Sequence, residues 1–110
     1  MKLRPAWDHE AGDLARVHAQ AFDHPWSASE IAELMGSPGA FVMVAEDAAP
    51  TAFILCRAVA GEAEILTLAV EPAARRQGLA RALVEAAAGV ARIAGAEAMF
   101  LEVADDNVAA

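Results

Sequence analysis

The sequence has little of several residue types, and each shortage argues against a class of protein. Cys56 is the only cysteine, so neither an intramolecular disulfide nor a thiolate metal cluster can form within the chain. Lys and Arg number 8 against 16 Asp and Glu, a formal net charge of -8, which argues against the clustered basic face of a nucleic-acid-binding protein. No apolar run approaches the roughly 18 residues that span a bilayer or resembles a secretory signal. We therefore expect a cytoplasmic protein with neither nucleic-acid nor membrane partners.

Possible metal ligands and cysteine nucleophiles are equally sparse. His9, His18 and His24 lack the spacing of metal ligands and are more simply helix or loop residues, so we expect no metal. Cys56 lies in an apolar run with no activating histidine or helix terminus evident beside it. It is more simply a small buried strand residue than an acyl-enzyme nucleophile.

The length and the remaining composition fit one small domain. The 110 residues predict a single domain over 1–110 with one core. Of the residues, 57% are hydrophobic, but alanine supplies many of them and favours helix without filling much core volume. The acidic surplus suits a basic or amine-bearing substrate, or serves solubility.

Hydrophobic periodicity places helices and strands along the chain. Apolar residues at helical spacing predict helices over 8–22, 28–35 and from 79 to a C-terminal glycine at Gly95. Branched and aromatic residues predict strands over 2–4, 41–45, 51–60, 62–70 and 98–104. Ser27 and Glu30 have the spacing of a capping box at the start of the second helix. The last two strands flank a helix, which favours a parallel crossover, while the earlier ones fit an antiparallel meander. The predicted fold class is α/β, with a mixed, mainly antiparallel sheet flanked by helices.

Arginines and one glycine precede the third helix, in the loop Arg75-Arg76-Gln77-Gly78-Leu79-Ala80-Arg81. A helix start presents free N–H groups and the positive end of the helix dipole, and a glycine lets a phosphate approach the backbone. The flanking arginines add charge-assisted donors. An ordinary solvated basic turn is the alternative. The pattern predicts an anion cradle for a phosphate or pyrophosphate.

Two common phosphate-binding motifs do not fit this loop. The Gly-Lys-Ser/Thr of P-loop nucleotidases is absent, and with it the lysine and the magnesium-binding hydroxyl. The dinucleotide-binding fingerprint needs three glycines after a parallel strand, whereas only Gly78 is present here.

The loop instead resembles the phosphate loop of the GNAT superfamily of N-acetyltransferases, which has the form Arg/Gln-x-x-Gly-x-Gly/Ala. Residues 64–72 before it, Phe100-Leu101-Glu102-Val103 after it and Pro25-Trp26-Ser27 resemble the RimI branch, which acetylates protein N-termini, particularly of a ribosomal protein. The resemblance covers essentially the whole chain. It implies acetyl-CoA as cosubstrate and a protein N-terminus, or a small amine, as acceptor.

The resemblance also implies particular site residues. Those around the coenzyme A pyrophosphate would be Arg75, Arg76, Gln77, Gly78, Leu79, Ala80 and Arg81. Backbone groups of Leu68, Ala69 and Val70 would pair with the pantetheine arm, and Asn107 would lie near the cofactor. Glu102 would be the general base, with a plain surface carboxylate as the alternative. Trp26 either lines the acceptor pocket or packs behind Pro25.

The chain departs from the RimI pattern after Asn107. RimI-like sequences continue with a helix, whose tyrosine protonates the leaving thiolate, and with two further strands; this chain ends at Ala110 and contains no tyrosine. We therefore expect a fold that lacks the last helix and strands. The strand over 98–104 would then be an exposed edge able to pair with a second copy. A non-catalytic module that binds coenzyme A, or oligomerises through this edge, is the alternative function.

Overall fold

The computed structural model of the protein describes residues 1–101. The predicted site residues Glu102 and Asn107 lie outside the described residues. Within them the strands are β1 (Lys2–Pro5), β2 (Ala40–Glu46), β3 (Pro50–Val59), β4 (Glu62–Val70) and β5 (Ala98–Leu101). The α-helices are α1 (Ala11–Ala21), α2 (Ala28–Met35) and α3 (Leu79–Ile93), and short 3-10 helices form at Asp8–Glu10 and Pro72–Ala74. None of these helices is long and apolar enough to cross a membrane.

The strands form one sheet in which spatial order follows chain order, β1-β2-β3-β4-β5. The first four strands pair antiparallel. β5 returns parallel to β4, with Glu62 opposite Ala98 and Ile65 opposite Leu101, because α3 carries the chain back across the sheet. The predicted mixed, mainly antiparallel sheet is confirmed.

Helices cover both faces of the sheet. On one face α3 buries Leu79, Leu83, Ala87 and Ala91, four positions at a spacing of one helical turn. Leu79, Leu83 and Ala87 pack on apolar side chains of β3 and β4, among them Ile54, Ile65 and Leu68. The other face is covered by α1 and α2, whose Leu14, Val17 and Ile31 pack against Val44, Phe53 and Leu55. Each large aliphatic side chain buried in this way stabilises the fold by about 2 kcal/mol.

A β-bulge in β4 changes which side chains face which helix. Leu55 lies opposite Thr67 and Cys56 opposite Ile65, so Leu66 is an extra residue without a partner of its own. Ile65 and Leu68 pack on the α3 side, whereas Leu66 packs on the α1 side and Thr67 bonds to His18 of α1. In a regular strand, side chains two residues apart face the same side, so Thr67 would have faced α3 together with Ile65. The bulge therefore places a hydroxyl under α1.

An ion-pair network joins β1 to the start of α1. Arg4 makes a bidentate pair with Glu10, at 2.8 and 2.7 Å, and also reaches Glu46 at 2.7 Å. Arg4 and Glu10 are both buried, at 8% and 2% exposure. The Arg4 hydrogen bonds hold the pKa of Glu10 below its usual range, despite the opposing effect of burial. Glu10 also accepts from the Trp7 N–H at 2.7 Å.

This network accounts for one difference from the predicted first helix, which was expected over 8–22. The Asp8–Glu10 turn is 3-10 rather than α, because the Glu10 carboxylate is held by Arg4 and the Trp7 N–H. At the other end Phe22 is extended, with φ -130° and ψ 145°, and so caps α1 rather than continuing it. The described part of the last strand agrees with the prediction over 98–101, and residues 102–104 of that prediction lie outside the described residues.

Candidate functional site

The loop between β4 and α3 borders a cleft of about 440 Å³. The chain leaves β4 at Val70, passes through the 3-10 turn and enters α3 after Gly78. Arg76 and Gly78 both have left-handed backbones, with φ of 65° and 75°. The residues that line the cleft are Val70, Ala74, Arg75, Arg76, Gly78, Leu79, Ala80 and Arg81. We call this group the cradle.

Backbone N–H groups converge at the cradle because a helix begins there. The first turn of α3 closes with the Ala82 N–H donating to the Gly78 carbonyl at 3.0 Å, so the N–H groups of residues 79–81 precede the first intrahelical bond. A left-handed Gly78 followed by right-handed helix turns successive N–H groups to one concave side. A Cβ built on Gly78 meets no atom within 4 Å. The cradle thus combines free donors, the positive end of a helix dipole and open space, which suits an anion.

Three arginines surround these donors in different ways. Arg75 is half-buried, and its Nε donates to the Val70 carbonyl at 3.2 Å, which fastens the loop to the end of β4. Arg81 is 86% exposed and pairs with Glu85 at 3.1 Å on the surface of α3. Arg76 is exposed at its left-handed position, which costs of order 1–2 kcal/mol for a non-glycine residue. Such strain is typical of functional sites.

At the end of β4 the backbone groups, not the side chains, are available to bind a ligand. Leu68, Ala69 and Val70 all bury their side chains in the core. Among residues 1–101, β5 pairs with β4 only over residues 62–65, so the outer edge of residues 66–70 has no strand partner in that part of the chain. Val70 lines the cradle, and Leu68, Ala69 and Gln77 are not among its lining residues.

Trp26 lies with α1 and α2, on the face of the sheet opposite to α3. Its half-buried ring stacks on His18 with centroids 5.0 Å apart, and its backbone N–H donates to His18 Nδ1 at 3.1 Å. The observed contacts of Trp26 are therefore made to His18; packing behind Pro25 and a role in an acceptor pocket both stay predictions.

His18 is the residue that sequence reasoning undervalued. It is 2% exposed, and its Nε2 lies 3.0 Å from Thr67 Oγ1. The available signal was its position in the apolar stripe of α1 beside Leu14 and Val17, because a histidine on a buried helix face needs hydrogen-bond partners. Thr67 faces His18 only because of the bulge in β4, and no pattern in the sequence predicts this bulge.

The burial of Cys56 makes its thiol unreactive. Cys56 has no exposed surface, and burial raises the pKa of its thiol to about 12, so the reactive thiolate is scarce at neutral pH. Residues 1–101 contain no group of three or more His, Cys, Asp or Glu side chains placed to hold a metal ion.

Comparison with known proteins places this fold in a family. Residues 5–110 match the acetyltransferase (GNAT) family. The chain is 31% identical over 94 residues to the [ribosomal protein bS18]-alanine N-acetyltransferase of Escherichia coli K12, an alignment that covers 86% of this chain and 64% of that enzyme. The chain thus spans less than two thirds of the length of the curated relatives that it matches.

Solved structures agree with this placement. The crystal structure of the ribosomal-protein-S18-alanine N-acetyltransferase from E. coli superposes with a TM-score of 0.86 at 26% identity, covering 98% of this chain and 70% of that one. An aminoglycoside 6'-N-acetyltransferase from Acinetobacter haemolyticus shares the fold at a TM-score of 0.79 and 21% identity, covering 99% and 83%. From its sequence and its fold together, the chain belongs to the acetyltransferase (GNAT) family.

Proposed function

We propose that this chain carries the acetyl-CoA site of an N-acetyltransferase whose acceptor is a protein N-terminal amine. The observation that supports the proposal most strongly is the cradle, in which Gly78 leaves open space beside the free N–H groups that begin α3. A cytoplasmic location accords with this function and stays a prediction.

The described residues fit the coenzyme at two points. The N–H groups of residues 79–81, with the Arg76 and Arg81 side chains, would hold the pyrophosphate. The edge at residues 68–70, which has no strand partner among residues 1–101, would hydrogen-bond the amide groups of the pantetheine arm as an added strand does. These two features are adjacent because Val70 ends β4 and also lines the cleft.

The chemistry needs few groups from the protein. Acetyl-CoA supplies a thioester whose carbonyl carbon accepts the amine nitrogen while its C–S bond breaks. Backbone N–H groups near Leu68 to Val70 would polarise the carbonyl oxygen. Glu102 would take the proton that the amine releases, directly or through a water. The leaving thiolate would take up a proton, which completes the release of free coenzyme A. Asn107 would lie near the cofactor; its role and that of Glu102 rest on the family pattern.

The acceptor is proposed from the relatives. The E. coli relatives by sequence and by structure are named as ribosomal protein S18 alanine N-acetyltransferases, and Pro25-Trp26-Ser27 resembles the same branch. A small amine is the alternative acceptor, since the same fold also serves aminoglycoside acetylation in another protein. The 16 acidic residues against 8 basic ones are compatible with either cationic acceptor.

Turnover tests the proposal. The purified protein is given acetyl-CoA and a peptide with a free N-terminal alanine, and free coenzyme A and acetylated peptide are measured. Glu102→Gln should lower kcat by at least about a hundredfold, since a general base contributes roughly 10²–10⁴. Glu97→Gln, which makes the same charge change at an exposed position, should leave kcat within about twofold. Wild-type protein that binds acetyl-CoA but acetylates neither peptide nor small amine would contradict the enzyme proposal.

That contrary result would favour a non-catalytic module. Phe100 and Leu101 of β5, the edge strand of the sheet among residues 1–101, are 54% and 49% exposed, and Val59 of β3, which lines a cleft with them, is 54% exposed. Exposed apolar side chains at a sheet edge favour association. Pairing of two copies through β5 would be seen as a dimeric mass by light scattering.

A further inference from the structure

His18 is enclosed on all sides that the described residues show. It is 2% exposed, although it lies on a helix at the surface of the sheet. Its ring stacks between Phe22, at 4.3 Å, and Trp26, at 5.0 Å, with Phe53 tilted beneath it at 6.2 Å. A buried imidazole in so apolar a surrounding is stable only when its nitrogens are hydrogen-bonded.

The bonds at the two ring nitrogens fix the tautomer. A backbone N–H can only donate, so the Trp26 N–H at 3.1 Å requires that Nδ1 carry a lone pair. The ring proton is therefore on Nε2, which donates to Thr67 Oγ1 at 3.0 Å. Protonation of Nδ1 would set two donors against each other and break the bond to Trp26.

These two bonds connect three elements of the fold. His18 belongs to α1, Trp26 to the six-residue loop 22–27 before α2, and Thr67 to the bulged part of β4. Thr67 immediately precedes Leu68, where the edge proposed for the pantetheine arm begins. A shift of the loop at Trp26 would therefore have to break its bond to His18, which is itself bonded to the strand proposed to position the thioester.

We propose that His18 is a positioning residue for acceptor binding. In its neutral form, with the proton on Nε2, it holds Trp26 at a fixed position relative to β4. The proposal rests on the proposed acetyl transfer, with Trp26 as part of the acceptor pocket. His18 does not touch the reacting atoms in this account. It acts by limiting the loop to one arrangement, so that the acceptor amine and the thioester are held at a fixed distance.

Kinetics with paired substitutions separate this role from simple packing. Thr67→Val keeps the shape of the side chain and removes the acceptor for Nε2–H, and Thr67→Ser keeps the hydroxyl. We expect Thr67→Val to raise the KM for the acceptor peptide about tenfold, the loss of one buried hydrogen bond. The KM for acetyl-CoA should change less than about twofold, and Thr67→Ser should restore the wild-type acceptor KM. His18→Leu should reproduce the Thr67→Val effect, and His18→Asn, which retains an acceptor for the Trp26 N–H, should be milder than His18→Leu.

A second measurement needs no turnover. In a Trp7→Phe background Trp26 is the only tryptophan, because the sequence contains two. Acrylamide should quench its fluorescence more efficiently in Thr67→Val than in Thr67→Ser, and a long-range ¹H–¹⁵N spectrum should show His18 as the Nε2–H tautomer.

The outcomes distinguish the two proposals. If the wild-type protein acetylates no amine, the proposed function fails, and the positioning of an acceptor fails with it. Quenching and the tautomer then still decide whether His18 holds Trp26 in place. If the protein is active, three results would overturn the positioning role: an unchanged acceptor KM in Thr67→Val, parallel changes in both KM values, or an Nδ1–H tautomer.

Discussion

The Arg75 guanidinium donates through Nε to the carbonyl of Val70 across 3.2 Å, so the side chain that opens the cradle is fastened to the last residue of β4. Val70 and Arg75 both line the cleft. The bond links the loop to the end of β4 just before the chain enters α3. We expect Arg75 to contribute both to the shape of the cradle, through this bond, and to its positive charge.

Arg75→Ala should weaken acetyl-CoA binding about tenfold, because a hydrogen bond to a charged group contributes about 1.5–3 kcal/mol. Arg92→Ala is the matched control, since it removes the same charge from an exposed position in the last turn of α3. Calorimetric titration of both variants measures the effect. Equal affinities for the two would mean that Arg75 contributes only general electrostatic attraction.

Glu10→Gln should lower the free energy of unfolding at neutral pH by about 3 kcal/mol, because it breaks a buried ion pair and leaves Arg4 with one carboxylate. The pKa of Glu10 is lowered in the folded protein by its Arg4 hydrogen bonds. Its stabilising contribution is therefore complete above the ordinary Glu pKa of about 4.3 and is lost as the pH falls through the lower folded value.

Urea unfolding of wild-type and Glu10→Gln protein, at neutral pH and at steps below about pH 4, tests this dependence. The difference between the two proteins should narrow as the pH falls. A difference that stays constant with pH would show that the substitution acts through packing rather than through the charge of Glu10.

Ser27→Ala should destabilise the protein by about 1 kcal/mol, the usual loss for a helix N-cap. Ser27 Oγ accepts from the Glu30 N–H at 3.1 Å and Glu30 accepts from the Ser27 N–H at 3.0 Å. Ser29→Ala, inside the first turn of the same helix, is the control and should be neutral within about 0.5 kcal/mol. Thermal unfolding followed by circular dichroism compares them, and equal melting temperatures would refute the cap.

Cys56 should resist labelling by a chromogenic thiol reagent at neutral pH until the protein unfolds. The side chain has no exposed surface and burial raises its pKa to about 12, so both access and the thiolate fraction are low. The denatured protein should react at the rate of an ordinary thiol. Rapid labelling of the folded protein would show that β3 opens far more readily than its burial implies.

Local patterns in the sequence predicted most of the fold. The apolar stripe of α3, the strand pair over 51–70 and the capping box at Ser27 each depend on neighbours a few residues away, and each is confirmed. The cradle was predictable for the same reason, because a glycine and arginines at a helix start are adjacent in the chain. The roles of Glu102 and Asn107 stay predictions.

Contacts that join distant residues were not predictable. The His18–Thr67 bond spans 49 positions and needs the bulge at Leu66, and a bulge leaves no periodic trace in so apolar a strand. Arg4, Glu10 and Glu46 meet only once β1 and β2 are paired. Their burial could not be inferred from charges that the sequence pattern would place on a solvated surface.

Calorimetric titration with acetyl-CoA, applied to wild-type, Gly78→Asp and Gly95→Asp protein, addresses the cradle itself. Both glycines have left-handed backbones with no atom within 4 Å of an added Cβ, so the two variants share backbone strain and added charge, and differ in which end of α3 they alter. We expect wild-type and Gly95→Asp protein to bind, and Gly78→Asp to lose binding because its carboxylate occupies the anion site. A folded wild-type protein that does not bind, or equal binding by the two variants, would contradict the account.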